Sequence, residues 1–171
     1  MITQKINKLL KGVAVLSFLG ILTASYLTYL HYQPEASEFC NFGEQFNCEV
    51  VNKSQWSYID LGLFDLPVSI LGLSAYVFFF IVSLLVVKGF RFQKIHKWLR
   101  PGNMLKLMQY LSVVGLIFSL YLTYIEAFVL QTWCIFCVTS QIIMILITIL
   151  FFAMQNVINK NKKEAKACEF C

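Results

Sequence analysis

Charge is scarce in this chain. Of its 171 residues only 13% are charged while 58% are hydrophobic, and the mean hydropathy is +0.69. An ordinary soluble domain, about a quarter charged, is thereby excluded. Histidine is scarcer still: His31 and His96 stand far apart and offer no paired metal ligands. The first apolar run has the basic start of a secretion signal, yet no Ala-Xaa-Ala-like site follows it cleanly. It is also longer than the usual h-region, so it is expected to stay in place as a membrane helix. Basic residues are nearly missing from 31–66, where Lys53 faces Glu35, Glu38, Glu44, Glu49, Asp60 and Asp65. They gather instead at Lys5, Lys8 and Lys11, at Lys88, Arg91, Lys94, Lys97, Arg100 and Lys106, and at Lys160, Lys162, Lys163 and Lys166. Short basic segments stay cytoplasmic, which predicts both termini inside and the acidic loop outside. The net charge of +5 is then explained by topology and attraction to anionic lipid, without nucleic acid.

What is present is apolar sequence in lengths that match a bilayer. Four runs, about 12–30, 68–87, 107–130 and 134–154, approach the ~20 residues needed to cross ~30 Å of hydrocarbon. They predict an all-α membrane protein: a four-transmembrane-helix bundle over 1–154, with an extracytoplasmic loop at 31–66 and a basic, unstructured cytoplasmic tail at 155–171. Gly72, Ser74 and Ala75 in the second run, with Gly115 and Ser119 in the third, are expected to permit close helix contacts. Tyr26-Leu27-Thr28-Tyr29-Leu30 recurs as Tyr121-Leu122-Thr123-Tyr124-Ile125, a weak sign of a parallel repeat.

Cys134-Ile135-Phe136-Cys137 opens the last run, and Cys40 and Cys48 lie in the outer loop. The topology gathers these four sulfurs on the external side, where disulfide chemistry is permitted. Cys-Xaa-Xaa-Cys brackets one helical turn, so its sulfurs can close a disulfide, or one can stay bonded while the other reacts. Cys134 falls in the first helical turn, where free N–H groups and the helix dipole favour a thiolate. Cys137, one turn deeper, can meet a lipid-soluble oxidant. Because thiol exchange runs through mixed disulfides, electrons can step from a soluble partner to Cys40, which faces it, then to Cys48 and on to Cys134 and Cys137. Two blander arrangements compete. Cys40 and Cys48 can staple the loop of a non-enzymatic scaffold while the other pair packs as small apolar residues, or four thiolates can bind zinc. A staple needs no second dithiol level with it, and no histidine lies beside either pair. A relay without metal is the stronger reading.

Cys40, a seven-residue gap, Cys48, then Ser54 and Trp56 six and eight residues on, and a Cys-Xaa-Xaa-Cys at the outer end of the last helix together resemble the vitamin K epoxide reductase family. The resemblance runs from about Gly12 to Met154. The order of the pairs is specific, since the bacterial four-helix quinone-reducing disulfide oxidases carry them in reverse. What the resemblance implies is a helix bundle enclosing a quinone and capped by the outer loop, which carries a short interfacial helix. Cys134 and Cys137 match the redox centre, Cys48 and Cys40 the shuttle cysteines, and Ser54 a loop hydroxyl near that centre. Animal members place a substrate-contacting Asn and Tyr where this chain has Val68 and Gln141; Gln141 can still hydrogen-bond a quinone carbonyl. The implied activity is that of a prokaryotic-type thiol-disulfide oxidoreductase in the cytoplasmic (inner) membrane. It would oxidise a thioredoxin-like partner in trans, pass electrons to ubiquinone, menaquinone or phylloquinone, and so support disulfide bond formation. Reduction of vitamin K quinone or its epoxide at the expense of a thiol partner is the alternative. Cys40 is expected to pair with Cys48 and Cys134 with Cys137 in one state, and Cys48 with Cys134 in another.

The remaining candidates carry less specific signals. Ser54 also suits a helix cap or a loop hydrogen bond. Trp56 and Trp133 suit interfacial anchors as well as quinone contacts. Glu126, near the outer end of the third span, is an ionisable group at membrane depth, able either to relay a proton to reduced quinone or to sit among headgroups. The C-terminal Cys168-Glu169-Phe170-Cys171 has redox-motif spacing, but on the cytoplasmic side it is expected to stay reduced and to take no part in turnover.

Overall fold

The computed structural model describes residues 2–33, 40, 46–60, 65–89 and 101–168. Helix α1 spans Ile2–Tyr32, the short α2 Cys48–Asn52, strands β1 and β2 Tyr58–Asp60 and Asp65–Pro67, and helices α3 and α4 Val68–Val87 and Pro101–Tyr124. A π-helical turn, Ile125–Leu130, carries α4 into the connection to α5, which covers Ile135–Cys168. Among the described residues, four helices are long and apolar enough to span a bilayer. His96 and Cys171 lie outside the described residues.

Local chemistry sets the ends of these helices. Pro67 caps α3 in extended conformation and Pro101 opens α4, positions where a missing N–H costs nothing. Gly89, at φ 73°, turns the chain after α3 while its N–H bonds Val86 O at 3.0 Å, the left-handed exit that glycine adopts without strain. Gln131 makes a similar exit at φ 51° without being glycine. The chain beyond 154 is not an unstructured tail: α5 continues to Cys168, through Lys, Glu and Ala residues that favour helix and no Gly or Pro to break it.

Outward faces are apolar at helical spacing. Val15, Phe18 and Leu22 on α1 and Ile142, Leu146, Ile149 and Phe152 on α5 are all exposed, as expected for helices bathed in lipid tails. Inside, α1 packs on α3 and α5, and α5 packs on α4, whereas α3 and α4 scarcely touch. The main core joins Leu10, Val13, Tyr76, Phe79, Met108, Ile147, Phe151 and Met154.

Close approach depends on glycines of α1 and α4 and not on Gly72 of α3. A Cβ on Gly20 would meet the Tyr76 ring at 2.5 Å, and one on Gly12 would reach Leu150 at 3.3 Å. Gly115 fits against Met144 as expected, at 3.2 Å. Gly72 has open space beside it and, with Ser74 and Ala75, borders a cavity. The reason is the gap between α3 and α4: small residues on α3 there make room, not contact.

Candidate functional site

The outer end of the bundle is assembled by backbone and amide hydrogen bonds. Asn47 begins the short helix α2, its Oδ1 accepting from the N–H groups of Glu49 and Val50 at 3.0 and 3.1 Å, as an N-cap does. The last residue of that helix, Asn52, is buried and donates from Nδ2 to Leu27 O on α1 at 2.7 Å. Its own carbonyl accepts from His31 Nδ1 at 2.8 Å, which fixes the proton on that nitrogen. At the other end of α2, Phe46 bridges Trp133 in parallel, and Asn47 N–H donates to Trp133 O at 3.2 Å. The segment carrying Cys48 is therefore pinned beside the residue that precedes Cys134.

That placement brings the sulfurs together. Cys40, Cys48 and Cys134 share one buried cluster with Leu27, Leu30 and Val51, and Cys137 packs against it. Cys40 and Cys48 are joined in a disulfide with Cα atoms 5.6 Å apart, whereas Cys134 and Cys137 are free thiols. The loop pairing is the one expected, but the Cys134–Cys137 bridge expected beside it is not formed. Cys40 is only 1% exposed, with Cys48 and Cys134 at 0%. The expectation that Cys40 faces soluble partners is thus not met in this state. Apolar packing around the disulfide covers it.

Cys134 occupies the cap position just before α5 and not its first turn. Its carbonyl accepts from Val138 N at 3.0 Å, and its Sγ accepts from Cys137 N–H at 3.2 Å. The sulfur stands where a capping serine or aspartate oxygen would. Glu126, 3% exposed, reaches in from the π-helical turn and accepts the Cys134 N–H on Oε2 at 3.1 Å. The Glu126 carbonyl accepts from the N–H groups of Gln131 and Thr132, so the connection to α5 wraps around this residue. Such π-turns often mark functional sites. Glu126 is therefore buried in the protein beside the start of α5.

Below the cysteines lies a largely apolar cavity of about 540 Å³ in the gap between α3 and α4, within the ~300–1,000 Å³ usual for ligand sites. Of the four cysteines only Cys137 lines it, together with Glu126, Gln141, Ser54 and Trp56. Gln141 is one turn deeper on the same helix face, bonded to the Thr123 hydroxyl of α4. Ser54 donates to Val51 O at 2.8 Å, closing the turn after α2, so its loop role and its place in the wall coexist. Trp56 is part exposed in the rim, while Trp133 serves the bridge to Phe46. Val68 is also in the wall. Cys168 lies at the far end of α5.

Several shaping residues escaped sequence reasoning. Tyr76 donates from its hydroxyl to Ser140 O at 2.8 Å, tying α3 to α5 across the cavity floor. A phenol within a long apolar run needs a partner when buried, and that was the available signal. Asn47 directly before Cys48 is a recognisable cap signature. Asn52 offers none, because its partners are 21 and 25 residues away.

A model of the vitamin K epoxide reductase family matches residues 12–152. No curated protein matches the chain.

Proposed function

Given that the chain belongs to the vitamin K epoxide reductase family, we propose that it is a membrane thiol oxidant of the prokaryotic type, taking electrons from a thioredoxin-like protein and passing them to a quinone. Family membership implies a quinone-reducing oxidoreductase; the direction of use and the partner are our reading. One juxtaposition carries it. Cys40, Cys48 and Cys134 are sealed together in one cluster, and Cys137 alone among the four touches a ligand-sized apolar cavity.

The partner's thiolate attacks the Cys40–Cys48 disulfide at Cys40 and leaves oxidised through a mixed disulfide. Cys48, held beside Trp133, then exchanges with Cys134 of an oxidised Cys134–Cys137 pair, and Cys40 resolves the adduct. The outcome is a closed Cys40–Cys48 bridge and two free membrane thiols, the pairing present here. Quinone enters as the substrate that accepts this pair of electrons. Apolar walls hold its ring, and Gln141 offers a polar contact to one carbonyl. In this reading the loop faces the extracytoplasmic side of a prokaryotic inner membrane, with both termini cytoplasmic, because Lys and Arg residues crowd the opposite end.

The test is quinone reduction by protein purified in detergent, followed by quinone absorbance, with a reduced thioredoxin-like donor or a small dithiol. Cys137→Ala should abolish turnover with either donor. Cys40→Ala should abolish it with the protein donor and spare the small dithiol. Cysteine-independent turnover, or none with any quinone, would sink the proposal.

A further inference from the structure

We propose, on the basis of the quinone-reducing reading above, that Glu126 is a catalytic residue that carries protons from the membrane thiols to the quinone. Oxidising two thiols with a quinone moves two protons as well as two electrons. Both S–H bonds break, the Cys134–Cys137 S–S bond forms, and the quinone's two oxygens become hydroxyls. The electrons need only contact at Cys137, but the protons need an acceptor that stands both at the dithiol and at the cavity. Glu126 meets that requirement: it lines the cavity alongside Cys137, and its carboxylate is held at the dithiol by the Cys134 N–H at 3.1 Å.

The other titratable groups in the described cavity wall do not. Tyr76 stands on α3 with its hydroxyl engaged by Ser140, and α1, α2 and the β-hairpin add no charged side chain to that wall. The carboxylate takes the Cys137 proton and returns it to the nearer quinone oxygen. The emptied carboxylate, already bonded to the Cys134 N–H, takes the second proton from Cys134 and releases it to solvent, while the far quinone oxygen takes its proton from solvent, so that two protons leave the thiols and two reach the quinone. The wrapped connection explains why the residue stays aimed: both the Glu126 carbonyl and its carboxylate accept from residues 131–134.

The variant that separates proton transfer from positioning is Glu126→Gln. Its amide oxygen can still accept the Cys134 N–H but cannot take a proton. In single turnovers of pre-reduced full-length protein with quinone, it should be slower by about 100-fold or more, the usual worth of a general acid–base group. The acidic limb of the rate–pH profile should disappear, and Glu126→Asp should restore both in part. Reduction of the Cys134–Cys137 disulfide by dithiothreitol should keep its wild-type rate. A Gln variant as fast as wild type with the same pH profile overturns the proposal, as does equal slowing of both half-reactions, which would mark a purely structural residue. A wild type that exchanges disulfides yet reduces no quinone overturns the reaction itself, and the role of Glu126 with it.

Discussion

The two ends of this bundle are built on opposite principles. The inner cluster of Leu10, Phe79, Met108, Ile147 and Phe151 is uninterrupted helix, with glycines that admit a ring or an aliphatic tip. The outer cluster is sulfur-rich and held by irregular backbone: a five-residue helix, a parallel bridge, a π-helical turn and a left-handed Gln131. In lipid, helix association rests on close packing because tails are as apolar as the helices themselves. The inner half therefore supplies stability, and the outer half can be assembled from a few replaceable hydrogen bonds.

Three substitutions can break or sharpen the contrast. The largest effect is expected from Gly20→Val, which drives methyl groups into the Tyr76 ring. Overpacking of this kind costs about 1–3 kcal/mol, read as a lower melting temperature in detergent and as disruption of both ends together. Asn52→Ala should cost about 1 kcal/mol locally by removing the bond to Leu27 O. Here the global melting temperature should hold, while dithiothreitol reduces the Cys40–Cys48 bridge faster. A fall in melting temperature as large as that of Gly20→Val would show that the ends are one unit. Lys53→Ala removes an exposed ion pair with Glu49, 2.7 Å long, and should change stability by less than about 0.5 kcal/mol. A clear effect on bridge reduction would mean that the loop is held from its surface as well.

The inner half was the more legible. Apolar length alone reveals the four spans, and α3 begins and ends where its run does, at Val68 and Val87. The outer half was legible only through its cysteines, because their spacing is chemical and survives irregular backbone. Glu126 could be picked out as an ion at membrane depth, but its grip on Cys134 depends on a π-turn that no periodicity announces. The small residues on α3 were misread for a related reason. Gly72, Ser74 and Ala75 have the same composition whether they face a neighbour or a void, and only the separation of α3 from α4 decides between them.

One feature of α5 links this chemistry to mechanics. Its capping acceptor is the Cys134 sulfur, so in the proposed relay the atom that trades electrons also caps the start of the helix. Each oxidation ties that sulfur into a disulfide and weakens it as an acceptor, and each reduction restores the thiol. The amide of Cys137 thus acts as a built-in gauge: its exchange with deuterated solvent should slow and quicken with the filling and emptying of the dithiol, reporting the relay's state from the first turn of a membrane helix.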